Sequence, residues 1–161
     1  MNEKFPLTQE EAALIDRNEV GSGNLTEEEE LYKENIIDHY KYPHNTGVLK
    51  DYTFSRREFN PLCGDDIAIY VKMSSGVISD ISFVGKGCAI SQASISMLTD
   101  KVKGMSLKDA KDIKREEVLG MLGIPIGIVR MKCALLSLKA LSKGIEQLEV
   151  GGSQDGKAGS C

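Results

Sequence analysis

The chain has 161 residues, of which 41% are hydrophobic and 27% charged, and its formal net charge is −4. A chain of this length forms one domain with a core of its own. The absence of Trp and an aromatic content of 6% argue against a nucleic-acid surface built on base stacking. No apolar run approaches the roughly 20 residues that span a bilayer, and residues 1–30 lack the apolar stretch of a signal peptide. We therefore expect a cytoplasmic protein with neither nucleic-acid nor membrane partners.

Acidic residues are concentrated near the N-terminus. Residues 1–30 contain nine acidic residues against Lys4 and Arg17. This composition predicts an acidic, flexible extension over residues 1–24. A second segment, residues 151–161, is rich in Gly and ends in Cys161, which predicts a disordered tail. The domain itself is expected to occupy residues 25–150.

The first predicted helix begins after Thr26. Together with Glu29, three positions later, Thr26 has the pattern of a capping box. Pro43 is expected to end this helix, because proline cannot continue the hydrogen-bond ladder. Its predicted apolar face consists of Leu31, Ile36, Ile37 and Tyr40. Residues 52–59 then predict a first strand.

Alternating residues next predict an antiparallel hairpin. Its first strand contains apolar residues at every second position, namely Ile67, Ile69, Val71 and Met73, a pattern typical of a half-buried strand. The segment Ser74-Ser75-Gly76 supplies the turn, and the return strand runs from Val77 to Val84.

Beyond the hairpin the spacing of apolar residues becomes helical. Cys88 opens a buried helix, Ser106 caps a short one, and residues 116–122 predict another that Gly123 ends. The last helix is predicted from Ala134 to Leu148. Its apolar stripe contains Leu135, Leu138, Leu141, Ile145 and Leu148. Strands followed by helices predict an α+β fold, in which helices pack on one face of a small antiparallel sheet of about three strands.

Three cysteines are the first candidates for chemistry. Cys63 lies in the loop before the hairpin, Cys88 at a predicted helix start, and Cys133 directly before the last predicted helix. At a helix N-terminus, unpaired N–H groups and the positive end of the dipole stabilise the thiolate that binds metal or attacks sulfur. In a reducing compartment, metal ligands, reactive thiols and buried apolar residues are all more common than disulfides. Without a CxxC pair, the spacing leaves these three alternatives open.

A tetrahedral metal site needs a fourth donor besides three thiolates. Asp65, two residues after the first cysteine, is the candidate, whereas Asp66 points to the opposite face if a strand begins there. Lys132 adjoins the third cysteine, where its charge would stabilise a thiolate; a solvated surface lysine is the alternative. His39 and His44 flank the loop after the first helix, and we interpret them as surface or capping residues rather than ligands.

Four ordered segments resemble the U-type iron–sulfur cluster assembly family, which comprises IscU, SufU and the N-terminal domain of NifU. The resemblance runs from about Leu31 to Leu148. Its segments are Ile37-Asp38-His39-Tyr40 with Pro43, Asn45 and Gly47; Asn60-Pro61-Leu62-Cys63-Gly64-Asp65; Gly87-Cys88-Ala89-Ile90-Ser91-Gln92-Ala93-Ser94; and Val129-Arg130-Met131-Lys132-Cys133.

The resemblance implies a scaffold protein with an α+β fold that is a monomer or a weak dimer. If the protein is an enzyme at all, the resemblance implies a sulfurtransferase. It implies that a pyridoxal-phosphate-dependent cysteine desulfurase supplies sulfur, and that apo iron–sulfur proteins or carriers receive the product. Either Cys133 or Cys63 matches the family's persulfide acceptor, depending on the branch. In this family, four residues bind a [2Fe–2S] cluster, iron or a zinc ion. The positions that match them here are Cys63, Asp65, Cys88 and Cys133.

Two functions stay open at this point, with a purely structural zinc module as a third. One is a scaffold that builds and transfers a [2Fe–2S] cluster; the other is a zinc-dependent sulfurtransferase of the SufU type that relays persulfide sulfur. Lys132 and Arg130 resemble the SufU branch. The 45-residue gap between Cys88 and Cys133 resembles the IscU branch, because SufU carries an insertion there. We favour the scaffold. No LPPVK-like motif for a specialised Hsp70 chaperone is present.

Overall fold

The computed structural model describes residues 24–151. The predicted N-terminal extension and Gly-rich tail lie outside the described residues, apart from Asn24 and Gly151. Within the described part, the elements follow in the order α1 (Glu27–Lys41), β1 (Phe54–Asn60), β2 (Asp65–Ser74), β3 (Val77–Lys86), α2 (Ala89–Val102), α3 (Leu107–Lys111), α4 (Arg115–Leu122) and α5 (Ile128–Gly151). No helix in this part of the chain has the length and apolar character needed to cross a bilayer.

The three strands form one antiparallel sheet in the order β1-β2-β3. The β2–β3 hairpin predicted from the alternation is present. Its two-residue turn consists of Ser75 and Gly76, with φ angles of 54° and 81°. Two positive φ angles are typical of a type I′ turn, whose twist matches that of the flanking strands. The sequence therefore contained both the strand pattern and the turn.

Helices α2 and α5 cover one face of the sheet. The inward residues of β2, including Ile67, Ile69 and Val71, are buried against this layer. On the other face, Arg57 binds Asp66 through two nitrogen–oxygen contacts of 2.8 and 2.6 Å. Asp66 is thus turned away from the helices, as its place in a strand predicts, and the α+β prediction with helices on one face is confirmed.

Helix α2 lies at the centre of the molecule. Ser94 is fully buried, and its hydroxyl donates to the carbonyl oxygen of Ala134 at 2.7 Å. Small side chains therefore let α5 approach α2 closely. A second apolar cluster joins α1, α2 and α5, with Ile36, Ile90 and Cys133 in it and Cys63 and Cys88 packed against it. The cysteines thus lie at the edge of a core.

Three details of the predicted helices are wrong. The last helix begins at Ile128 rather than at Ala134, so Cys133 lies in its second turn and not before it. Leu31 is 71% exposed and does not belong to the apolar face of α1. On α5, Leu136 is buried whereas Leu135 is only partly buried, because the inward face of this helix consists of Cys133, Ala134, Leu136, Ser137, Ala140, Leu141, Gly144 and Ile145.

Candidate metal centre

Four candidate residues come from three separate parts of the fold. Cys63 lies in the turn between β1 and β2, and Asp65 is the first residue of β2. Cys88 is the N-cap of α2, with φ −75° and ψ 171°, and its Sγ accepts from the Ser91 N–H at 3.5 Å. Cys133 projects from α5. The fold brings these four residues to one end of the helical layer.

The turn that carries Cys63 is fixed by Asn60. The Asn60 side-chain oxygen accepts from the backbone N–H of Leu62 at 3.2 Å, and its carbonyl oxygen accepts from the N–H of Gly64 at 2.8 Å. The first contact is an Asx turn, a structure that asparagine favours. Gly64 has φ 75°, a backbone conformation that glycine adopts without strain. The turn therefore directs the thiol of Cys63 towards α5.

Three of the four side chains form a compact set. The Sγ atoms of Cys63 and Cys133 and a carboxylate oxygen of Asp65 all lie within 4.8 Å of one another. The thiol of Cys133 donates to Sγ of Cys63 at 2.9 Å, and Cys63, Cys88 and Cys133 are all free thiols. Cys88 is next to this set, since its backbone N–H donates to Asp65 Oδ1 at 2.9 Å.

Asp65 is completely buried. Its Oδ1 accepts from the backbone of Cys88, and its Oδ2 accepts from the Asn60 side-chain amide at 3.3 Å. Gly87 lies directly against this carboxylate: a Cβ atom there would overlap Oδ1 and lie 3.0 Å from Cγ of Asp65. The Asp65 carboxylate can therefore occupy this position only because residue 87 is a glycine.

The pKa values of two of the thiols, Cys88 and Cys133, are shifted in opposite directions. Hydrogen bonding from Cys133, with smaller contributions from the Ser91 N–H and the charge of Arg130, lowers the pKa of Cys88 although burial opposes this. Hydrogen bonding with Cys88, burial and hydrogen bonding with Cys63, in that order, raise the pKa of Cys133. Of these two thiols, Cys88 is therefore the more acidic.

The two basic residues singled out from the sequence have different surroundings. The Arg130 Nη1 lies 3.8 Å from Sγ of Cys63 and 4.0 Å from Sγ of Cys133. Lys132 is exposed and lines a groove with Arg115 and Lys139. Arg130 is one turn of α5 away from Cys133 and shares its face, whereas Lys132 is its neighbour along the chain and points elsewhere.

Asn60 has a role in this centre that the sequence analysis did not assign. Its side-chain amide donates to Asp65 and lies 3.6 Å from Sγ of Cys133. An Asn-Pro pair at the end of a predicted strand signals an Asx turn, so the turn was accessible from the sequence. Its contact with Cys133, 73 positions away, was not.

The donor set suits a thiophilic cation. Zinc binds thiolate sulfur and carboxylate oxygen with tetrahedral geometry, and iron–sulfur clusters are also held by thiolates. Three sulfur atoms and one buried carboxylate supply four such donors. Removing a carboxylate and ionised thiols from water is costly unless a cation compensates them, and Arg130 contributes only one positive charge. The chemistry of these residues therefore fits a bound metal.

The family model described as the NifU-like N terminal domain matches residues 31–151. The chain belongs to this family. The match confirms the resemblance to the U-type iron–sulfur cluster assembly proteins, and it includes all four residues of the centre.

Curated relatives of the U-type family carry both of the functions left open above. The zinc-dependent sulfurtransferase SufU of Bacillus subtilis is 36% identical over 138 residues, which cover 75% of this chain and 93% of that protein. The iron-sulfur cluster assembly scaffold protein IscU 1 of Archaeoglobus fulgidus is 35% identical over 115 residues, covering 71% of this chain and 74% of that protein.

A solved structure supports the fold of this U-type domain. The crystal structure of a nitrogen-fixing NifU-like protein (N-terminal) from Brucella abortus superposes with a TM-score of 0.61 at 26% identity. The superposition covers 76% of this chain and 96% of that chain.

Proposed function

We propose that this protein is an iron–sulfur cluster assembly scaffold that binds a [2Fe–2S] cluster through Cys63, Asp65, Cys88 and Cys133 and passes it to apo-proteins. The observation that carries the proposal is that the thiols of Cys63 and Cys133 converge with the fully buried Asp65 carboxylate, with the thiol of Cys88 beside Cys133. The cluster is cargo here, because a scaffold must release it. The relative named as an IscU scaffold supports the same function.

The protein's own residues prepare the site for this cargo. All three thiols must lose their protons before they bind metal, so metal affinity should weaken as pH falls. Arg130 stabilises the negative charge that then builds up on the sulfur atoms near it. Asn60 and the backbone of Cys88 hold the Asp65 carboxylate by hydrogen bonds to its two oxygens. Carboxylate oxygen binds iron less firmly than thiolate does, which makes Asp65 the ligand that leaves most readily.

Sulfur is proposed to enter at Cys63, from a cysteine desulfurase. Cys133 is completely buried, whereas Cys63 is partly exposed beside Leu62, which is 69% exposed. The Cys63 thiolate attacks the outer sulfur of the desulfurase persulfide; a new S–S bond forms, and the desulfurase cysteine leaves as a thiolate. Converting the transferred sulfur to sulfide then takes two electrons, which an external dithiol or redox protein must supply.

A zinc-dependent sulfurtransferase is the second candidate. It is favoured by the SufU relative and by Arg130, whose guanidinium lies beside two of the sulfur atoms and would attract an anionic persulfide. In this function zinc occupies the same four residues, the desulfurase displaces one thiolate, and that thiolate accepts sulfur.

The deciding experiment is the iron, zinc and acid-labile sulfide content of the full-length protein purified without oxygen, with its visible spectrum. A coloured sample with equal iron and sulfide supports the scaffold; about one zinc per chain with no sulfide, even after reconstitution with iron and desulfurase, supports the sulfurtransferase. The Cys88→Ser variant should lose the bound metal, and Cys161→Ser is the matched control that should keep it. Neither metal nor sulfide in the wild type would contradict both functions.

A further inference from the structure

A second group of metal-ligating side chains lies away from the thiols. His39 comes from the last turn of α1, His44 from the loop that follows, and Asp100 from the last turns of α2. One potential ligand atom from each lies within 4.8 Å of the other two. Asp100 is twelve residues beyond Cys88 along α2, a rise of about 18 Å at 1.5 Å per residue. The two groups therefore lie at opposite ends of one helix.

The two imidazole rings are close neighbours. Their centroids are 4.4 Å apart and their planes are tilted by 48°. His44 Nδ1 lies 2.6 Å from Asp100 Oδ2. His39 is buried, whereas the side chains of His44 and Asp100 are 50% and 47% exposed. One member of the group is thus fixed in the protein, while the other two can adjust to an ion from solution.

Hydrogen bonds outside the group already orient two of its members. His39 Nδ1 lies 2.7 Å from the Ser96 hydroxyl, and the Asn45 amide donates to Asp100 Oδ1 at 2.8 Å. When the Ser96 oxygen accepts from Nδ1–H, the lone pair of His39 Nε2 is available to a cation. Metal-binding histidines and carboxylates are characteristically held by such outer hydrogen bonds.

The loop that carries His44 is fixed to the sheet. Gly47 N–H donates to the carbonyl of Phe83 at 2.8 Å, and Phe83 N–H donates to the carbonyl of Asn45 at 2.9 Å. In addition, the backbone N–H of His44 donates to the Ser96 hydroxyl at 2.8 Å. The position of His44 relative to His39 is therefore set by the fold and not by a free loop.

We propose that His39, His44 and Asp100 form a second binding site, for a divalent transition-metal ion such as zinc. Two nitrogens and one carboxylate oxygen are donors that zinc accepts, and a water molecule would complete the tetrahedron. Donors at about 2.0–2.1 Å from the ion are separated by about 3.4 Å in a tetrahedron. The contact between His44 and Asp100 must therefore open slightly when the ion enters, which their exposure permits. Lys103, whose Nζ donates to Asn45 Oδ1 at 2.7 Å, is also paired with Asp80.

The test is cadmium-113 NMR of the full-length protein loaded with two equivalents of ¹¹³Cd²⁺, together with the dissociation constant of each site from zinc titration. Thiolate-bound and nitrogen/oxygen-bound cadmium resonate in well-separated regions of the spectrum. We expect one signal in each region. His44→Asn and Asp100→Asn should each weaken only the nitrogen/oxygen site, by about tenfold or more, and Cys88→Ser should affect only the thiolate site.

The matched control is Asp112→Asn, which changes an exposed carboxylate outside both groups and should leave both signals unchanged. Amide NMR spectra of each variant verify that it is folded. The substituted side chains of His44 and Asp100 are about half-exposed, so their replacement should not unfold the protein. Uptake of a single equivalent would overturn the proposal, as would a second signal that persists in both ligand variants. Because the thiolate signal is observed separately, failure of this site leaves the proposed function untouched.

Discussion

Gly87→Ala tests how closely the backbone must approach the candidate metal centre. Gly87 is not among the glycines with positive φ, so its backbone conformation accepts alanine. The new Cβ, however, would overlap Asp65 Oδ1 and lie 3.0 and 3.1 Å from Cγ and Cβ of Asp65. The perturbation is therefore a steric contact with one buried carboxylate and not backbone strain.

The size of the effect follows from these distances. Carbon atoms pack best at about 3.5–4.0 Å, so the carboxylate must retreat by about 0.5–1 Å. That movement stretches the hydrogen bond from the Cys88 N–H to Asp65 Oδ1, now 2.9 Å, beyond useful length. Hydrogen bonds to charged groups contribute about 1.5–3 kcal/mol, and we expect Gly87→Ala to lower the free energy of unfolding by about this amount. Zinc affinity should fall about tenfold, because the carboxylate is displaced.

The assays are urea denaturation of the metal-free protein and zinc titration against a chromophoric chelator. Gly120→Ala is the matched control, since a Cβ at this position of α4 meets nothing within 4 Å. It should stabilise the protein by up to about 1 kcal/mol through helix propensity and leave zinc affinity unchanged. A Gly87→Ala protein with the stability and zinc affinity of the wild type would refute the role assigned to this contact.

Two further substitutions examine individual side chains of the centre. In Asp65→Ala the bound cluster should persist longer during chelator challenge, because the most readily released ligand is gone; faster loss than in the wild type would contradict that role. Arg130→Ala should weaken zinc binding about tenfold, or about 1.4 kcal/mol, since a cation near the sulfur atoms favours their ionised, metal-bound form. The matched control is Lys132→Ala, which removes an exposed lysine on the same helix and should change zinc affinity less than twofold. Equal effects of the two substitutions would mean that the position of Arg130 is irrelevant.

Local patterns predicted most of the fold correctly. The Thr26 hydroxyl accepts from the N–H of Glu29 at 3.1 Å, and the Ser106 hydroxyl accepts from the N–H of Asp109 at 3.1 Å, as the capping patterns indicated. Helix capping and strand alternation depend on residues only a few positions apart, so a short stretch of sequence is enough to predict them. The N-terminal position of Cys88 on α2 was predicted for the same reason.

Features that depend on distant contacts were predicted less well. Ile128 is 90% exposed and Val129 is 68% exposed, so the first turn of α5 has no apolar stripe that would mark it as helix. His39 was interpreted as a surface or capping residue, but it is buried and contacts Ser96, 57 positions away. Such a contact cannot be predicted from the periodicity of the sequence, because it forms only when α1 packs on α2.

The unequal anchoring of the three thiols has a consequence for exchange kinetics. Cys88 and Cys133 belong to α2 and α5, which cannot shift without opening the core, whereas Cys63 lies in a turn whose neighbours Pro61, Leu62 and Gly64 are all exposed. Surface loops move within nanoseconds to microseconds, far faster than packed helices rearrange. Of the three thiols, Cys63 should therefore be the first to release cargo once Asp65 has let go, while the thiols of Cys88 and Cys133 stay bound until the receiving protein has made its own bond.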